Sequence, residues 1–425
     1  MMETRNKERQ DIEVPKAFYN VQSVLDLPPP QGDNVKLLPR IFPAGLLRQE
    51  MSKEKYVPIP EEVREAMAQY RATPLARAAR LEKELKLPED VRIFYKREDV
   101  SPTGSHKPNT ALMQAYLARE EGIGRLATET GAGQWGSALS LACSRFGLEC
   151  TVYMVKGSYE QKPYRKVMMQ LFGANVIPSP SETTKFGREV LRKDPKNTGA
   201  LGIAISEAIE DTLAHEGTAY SLGSVLNSVL MHQTVIGLEA KAQLQALDVE
   251  PDLLIGCVGG GSNFGGLVLP FVEERLRGRG PEMLAVEPAS CPSITRGEYR
   301  YDYGDTAMQT PLLKMYTLGH DFMPASTHAG GLRYHGMAPI ISALVDKGLV
   351  SAVSYEQRAV FEAGVRFARA EGIVPAPETT HAIKAAMDRA LDAKRKGEAK
   401  NIVMAFSGHG FFDMQGYADF MGGKF

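Results

Sequence analysis

Between residues 125 and 177 the chain alternates strand-like runs with amphipathic stretches that end in glycine. This rhythm restricts the fold more than any other feature. Arg125-Leu-Ala-Thr-Glu-Thr130 reads as a strand, Gly131-Ala-Gly133 as a turn, and 137–146 as a helix closed by Gly147. Thr151-Val-Tyr-Met-Val155 is a second strand, 164–172 a helix ended by Gly173, and Asn175-Val-Ile177 a third strand. Strands joined by helix-length crossovers pair in parallel, and a parallel sheet needs helices on both faces. A second series begins with a long helix over 231–247. It continues with a strand at 253–258, a glycine turn, a helix to about 276 and a strand at 283–286. Earlier, 75–87 reads as a helix and Val91-Arg-Ile-Phe-Tyr95 as a strand. Later, Ser354 and Gln357 stand at capping-box spacing before a helix ending near Ala370, and 401–406 is the last strand. The predicted class is α/β, with two three-layer domains and largely parallel sheets.

A length of 425 residues also favours two domains. We expect an arm over 1–70, rich in proline and charge and wrapped over the surface with little regular structure. An N-terminal α/β domain over 71–226 and a C-terminal one over 227–425 follow. A formal net charge of -1 gives no attraction to a phosphate backbone, so nucleic acid is not an expected partner. No apolar run reaches the length of a membrane span, and the polar N-terminus lacks a signal peptide's apolar core. The four cysteines, Cys143, Cys150, Cys257 and Cys291, have no CxxC pairing. They read as reduced, buried thiols of a cytoplasmic protein, with no metal site.

Ligands of open parallel sheets bind beyond the carboxyl ends of the strands, where 131–134, 259–263 and 407–410 fall. Lys107, in Ser101-Pro-Thr-Gly-Ser-His-Lys-Pro-Asn-Thr110, precedes a helix in a comparable position, with Pro108 suited to the first helical turn. The positive end of the helix dipole disfavours a cation, which lowers the amine's pKa and favours a nucleophile able to form a Schiff base. A solvated surface lysine is the plainer alternative. In Val258-Gly-Gly-Gly-Ser-Asn-Phe-Gly265, the glycines Gly259, Gly260 and Gly261 let backbone N–H groups approach a phosphate, and Ser262 and Asn263 add donors. A dinucleotide fingerprint would need glycine where Phe264 stands, so a single-phosphate cradle fits better; a ligand-free turn is the alternative. Glu129 precedes the small-residue loop Thr130, Gly131, Ala132, Gly133 and Gln134, suited to a carboxylate ligand. It reads either as a general acid/base or as a strand-end ion pair. Trp135 reads as packing, and Ser407 as a partner for a ring nitrogen or a helix cap. Lysine, phosphate cradle, carboxylate loop and strand-end hydroxyl together describe a pyridoxal phosphate enzyme acting on an amino acid.

The ordered motifs Gly104-Ser-His-Lys-Pro-Asn109, Glu129-Thr-Gly-Ala-Gly-Gln134, Gly259-Gly-Gly-Ser-Asn263 and Ser407-Gly-His-Gly410 resemble the tryptophan synthase β chains, over roughly residues 71–413. The Glu-Thr-Gly-Ala-Gly-Gln loop is specific to that family, whereas the glycine loop is shared with cysteine synthases and threonine deaminases. The resemblance implies fold type II, with pyridoxal 5'-phosphate between the domains. It also implies a carbon–oxygen lyase that condenses L-serine with indole to give L-tryptophan and water. Position by position, it makes Lys107 the Schiff-base lysine and general base. Glu129 would protonate the leaving hydroxyl and assist indole attack. Thr130 to Gln134 would hold the substrate carboxylate, and His106 with Gly259 to Asn263 the phosphate. Ser407 would meet the pyridine nitrogen, and Glu378 would lie near the ring. The resemblance further implies a homodimer, an α subunit that delivers indole, a Na⁺ or K⁺ held by backbone carbonyls, and a mobile substrate-closing part within 71–226.

Several departures resemble the divergent second group of β chains. Trp135 replaces a histidine, His409 to Asp413 replace an arginine-containing run, and Arg333 stands where the common lid has an aspartate. The stretch 183–216 is longer than its counterpart. These changes bear on α-subunit docking and lid closure more than on chemistry. Serine or threonine deamination, or another nucleophile, is the rival enzyme reading; a nicotinamide oxidoreductase is a more distant one. The remaining histidines read as structural or solvated, with His328 and His335 near the lid.

Overall fold

The computed structural model describes residues 12–325 and 327–425, so the first eleven residues of the expected arm lie outside the described residues. In chain order the strands are β1 (Ala17–Tyr19), β2 (Tyr56–Pro58), β3 (Leu75–Arg77), β4 (Val91–Arg97), β5 (Arg125–Thr130), β6 (Glu149–Val155) and β7 (Asn175–Ser179). Then follow β8 (Thr218–Tyr220), β9 (Leu253–Cys257), β10 (Glu282–Pro288), β11 (Glu298–Tyr303), β12 (Leu312–Thr317), β13 (Ser351–Tyr355) and β14 (Lys400–Phe406). The larger sheet runs β13-β10-β9-β14-β4-β3 and the smaller β7-β6-β5-β8. Within these two sheets only β3 runs antiparallel to its neighbour. The class is α/β with largely parallel sheets, as the alternation predicts.

Side-chain alternation explains how the larger sheet is buried on both faces. In β14, Val403 and Ala405 join one apolar cluster, while Ile402, Met404 and Phe406 join another. In β9, Leu254 faces the first cluster, and Leu253 and Ile255 face the second. A period of two sends successive residues to opposite faces, and helix Thr379–Lys396 covers one of them. From β9 the sheet grows through β10 to β13, whereas β14 returns between β9 and β4. The loops after β9 and β14 therefore diverge at a topological switch point, which opens a crevice for a ligand.

The structure corrects several local expectations. Between residues 12 and 70 the arm holds two strands and several short helices, and Phe18, Val21, Val63 and Met67 lie in the core, not over the surface. The helix expected over 75–87 begins as strand β3, whose Ala76 pairs with Tyr95; only Ala79–Glu84 is helical. The long helix over 231–247 is two helices, Asn227–Gln233 and Val235–Ala246, joined at Thr234, whose hydroxyl oxygen accepts from Tyr19 N at 2.9 Å. Ser354 pairs with Glu287 inside the sheet, so helix Gln357–Glu371 starts from Glu356 without the expected capping box. Although 75–97 precede the smaller sheet in sequence, β3 and β4 lie in the larger one.

A fully buried ion cluster ties these segments together. Arg71 donates to both Glu239 oxygens at 2.7 and 2.8 Å, to both Glu98 oxygens at 2.9 and 3.1 Å, and to Asn109 Oδ1 at 2.8 Å. Lys96 donates to Glu239 Oε2 at 2.7 Å, Gln243 Oε1 at 2.9 Å and Thr73 O at 2.6 Å. Burial alone would raise the Glu98 pKa, but Arg71 pulls it down to about 2. Removing one member strands a buried charge, so Arg71→Met should cost about 3–5 kcal/mol of stability in urea unfolding. Lys36→Met, which breaks an exposed pair with Asp33, should leave the unfolding midpoint in place.

Candidate active site

Lys107 stands at the start of helix Pro108–Glu120, as expected, after a turn tied by a Ser105 N to Ser101 Oγ hydrogen bond of 3.0 Å. Its side chain is half-buried along a cavity, and Nζ donates to Gly223 O at 2.8 Å. Burial lowers the amine pKa to about 8, against the opposite pull of Glu129, Cys257 and Glu378. The depression agrees with expectation, but desolvation is its largest cause, not the helix terminus.

Glu129 lies near the carboxyl end of β5, and its side chain lines the same cavity. The Tyr220 hydroxyl donates to Glu129 Oε2; Tyr220 ends β8, beside Ala127 of β5. Burial raises the Glu129 pKa to about 8, opposed first by the Tyr220 hydrogen bond. One cause, exclusion of water, thus moves an amine down and a carboxyl up until both can exchange protons near neutrality.

The adjoining loop shows a division of labour. Thr130, Gly131 and Gln134 line the cavity, whereas Ala132 and Gly133 do not. Gly133 has φ +96°, and a Cβ there would come within 2.8 Å of Arg165 Cβ. Gln134 Nε2 donates to Glu378 Oε1 at 3.2 Å, joining the loop to Glu378. Trp135 both packs and lines the cavity; its Nε1 donates to Thr128 Oγ1 at 2.7 Å.

Opposite stand Gly259, Gly260 and Gly261, leading into helix Ser262–Val268. A Cβ at Gly260 would lie 2.6 Å from Ser224 Oγ, so the cradle admits no side chain there. Phe264, in place of the third fingerprint glycine, is fully buried. His106 Nε2 lies 3.3 Å from Ser262 Oγ, and burial followed by the Lys107 charge brings the imidazole pKa down to about 3, leaving it neutral. Both amide atoms of Asn263 are buried without a partner among the described residues, as is Glu378 Oε2. Buried polar atoms seldom remain unpaired, and these point to a polar ligand. Ser407 Oγ lies 2.7 Å from Thr379 Oγ1, and Glu378 Oε1 accepts from Gly331 N at 2.8 Å. An imine-forming lysine, a glycine cradle with an unpaired amide and a strand-end hydroxyl fit pyridoxal phosphate.

Sequence reasoning missed Tyr220, Thr379 and Arg165. Thr379 adjoins Glu378 in sequence and could have been inferred, whereas Tyr220 and Arg165 carry no local signal. Arg333 does not line this cavity; its NH2 donates to Pro324 O at 3.3 Å in a small neighbouring hollow with Gly131 and Gly330. His328 packs on Phe361 and Phe425, and His335 lies 2.9 Å from Tyr303 O, both in structural settings. All four cysteines are buried and free. Among the described residues no cluster of His, Cys, Asp or Glu could hold a metal ion, and no helix is long and apolar enough to cross a membrane.

Comparison with known proteins agrees with this geometry. Residues 67–408 match the family described as pyridoxal-phosphate dependent enzyme. The chain is 58% identical over 420 residues to tryptophan synthase beta chain 2 of Methanothermobacter thermautotrophicus, covering 97% of both chains. It is 57% identical to the protein of that name from Thermotoga maritima, covering 95% of this chain and 97% of the relative. Among solved structures, threonine deaminase isoform 2 from Solanum lycopersicum superposes with a TM-score of 0.62 at 18% identity, covering 97% of this chain and 99% of that one. A fungal L-serine ammonia-lyase from Rhizomucor miehei gives the same score and identity over 83% of this chain and 98% of that one. These two share the fold. The motifs, the cavity and the full-length likeness together show that the chain belongs to the pyridoxal-phosphate dependent enzymes and, within them, to the tryptophan synthase beta chains.

Proposed function

We propose that the protein condenses L-serine with indole to give L-tryptophan and water, using Lys107 and Glu129 as its proton-transfer groups. The observation that carries this reading is the pair itself, lining one cavity, with both pKa values brought to about 8. When bound, pyridoxal phosphate supplies an electron sink conjugated to the substrate α-carbon. Gly259 to Asn263 and neutral His106 would hold its phosphate, Ser407 would meet its ring nitrogen, and Glu378 would lie near the ring. Ser407 is a hydroxyl backed by Thr379, so it would leave that nitrogen largely unprotonated, which suits β-replacement over transamination. Thr130 to Gln134 bind the substrate carboxylate.

Lys107, as the free amine, takes the α-proton of serine. Protonated Glu129 gives its proton to the β-hydroxyl, which leaves as water. The Glu129 carboxylate then takes the proton that indole sheds as its ring carbon bonds to the β-carbon, and Lys107 returns its proton to the α-carbon to complete tryptophan. Tyr220 keeps the Glu129 carboxyl pointed at these atoms. Leu201, Leu332 and Tyr334 give the cavity an apolar wall suited to an indole ring and unfavourable to water. The reading includes a homodimer in the cytoplasm, a Na⁺ or K⁺ on backbone carbonyls, and an α subunit met transiently or not at all. Titrating an α subunit while following both activities tests that last part; no change in either marks a stand-alone enzyme using free indole.

After borohydride reduction, the wild-type peptide containing Lys107 should gain the mass of the cofactor, and Lys107→Ala should gain none. Glu129→Gln should lower kcat by about 10²–10⁴-fold, the usual weight of a general acid/base, with cofactor attachment intact. The Tyr220 hydrogen bond favours the charged form of Glu129, so Tyr220→Phe should raise the Glu129 pKa further. The kcat–pH profile should then move to higher pH; an unmoved profile would deny Tyr220 this role.

A further inference from the structure

Arg165 has no part in the reading above, yet it lines the same cavity as Lys107 and Glu129. It belongs to helix Pro163–Leu171, is 1% exposed and lines the cavity. None of its Nε, NH1 and NH2 atoms has a hydrogen-bond partner among the described residues. The nearest carboxylate oxygen, Asp413 Oδ2, is 3.8 Å from NH2, and Lys162 already engages Asp413 through Oδ1. The Phe412 ring covers the guanidinium, with its centroid 4.5 Å from Cζ. Arginine keeps its charge in proteins, so five donors are buried here without an acceptor. A polar group so placed is costly unless a ligand completes it.

Its position says which ligand. The Arg165 methylenes pack against Gly133, whose left-handed backbone leaves room for them, in the middle of the loop assigned to the substrate carboxylate. Gln134, next in that loop, is fixed by Glu378. The phosphate cradle has its own unpaired partner in Asn263. We infer that Arg165 is the charge partner of the substrate α-carboxylate, completing an anion site whose other donors come from Thr130 to Gln134. Backbone N–H groups alone would bind any acceptor at that position; a guanidinium makes the site select a full negative charge. This inference rests on the amino-acid substrate of the proposed function.

The test compares L-serine with L-serinamide, which has a neutral amide in place of the carboxylate. Binding to the holoenzyme is followed by cofactor absorbance, in wild type, Arg165→Gln and Arg165→Lys. Arg165→Gln should weaken serine binding about tenfold or more, as expected for losing a hydrogen-bonded charge, and leave serinamide within about twofold. Arg165→Lys should fall between, and KM for indole should not change. Equal weakening of both ligands, or no weakening of serine, overturns the inference. If Arg165→Gln does not fold, Arg165→Lys decides: the wild-type preference for serine over serinamide must shrink, and an unchanged ratio refutes the role. Wild type that makes no tryptophan from serine and indole would defeat the proposed function instead, while the binding ratio still judges Arg165.

Discussion

Arg71, Lys96, Glu98 and Glu239 have no side-chain exposure, and their mutual neutralisation fixes how the segments meet. Each charge alone would be far costlier to bury than any single contact could offset. The cluster adds little net stability, but it penalises every packing that separates its members. Those members come from the residue that follows the arm, strand β4, the turn after it and helix Val235–Ala246. Asn109 extends the network, accepting from Arg71 and donating to Glu98 and Gln233 at 3.1 and 3.0 Å. Asn109 is two residues beyond Lys107, so the rigid cluster also anchors the start of the lysine's helix.

From that anchored helix the chemistry follows through dehydration. Lys107 and Glu129 need no special motif to shift their pKa values; they need surroundings that exclude water. The same surroundings keep His106 neutral, so to the proposed phosphate cradle it offers a hydrogen-bonding group without a positive charge. Arg165 is the counterweight, a charge held in the cavity wall with no hydrogen-bond acceptor among the described residues. Burial and neighbours bring the Lys107 amine and the Glu129 carboxyl to about 8 and keep His106 neutral, while Arg165 retains its charge.

The helices that sequence reasoning misplaced share a physical cause. Glu50 caps Asn227–Gln233, giving acceptors to Asn227 N at 2.9 Å and Ser228 N at 2.7 Å across 177 and 178 residues. Glu371 caps Ala79–Glu84 through Arg80 N and Leu81 N at 3.0 and 2.8 Å, about 290 residues away. Glu121 does the same for Ala44–Glu50 through Ala44 N at 2.7 Å. None of these three helices has a local side-chain cap, so their starts leave no trace in the neighbouring residues. Local pattern therefore merges the first into a longer helix, begins the second too early, and leaves the third as irregular arm.

Sequence alone determined the parallel α/β class, the loops beyond the strand ends, and the candidate set around Lys107, Glu129, Gly259–Gly261 and Ser407. It could do so because strand period, glycine turns and motif spacing are local properties of the chain. Only the tertiary structure decided that Tyr220 holds Glu129, that Arg333 stands apart from the cavity, and that Arg165 faces it without a hydrogen-bond partner among the described residues. Those outcomes depend on dehydration and on partners from distant segments, which no short window of sequence contains.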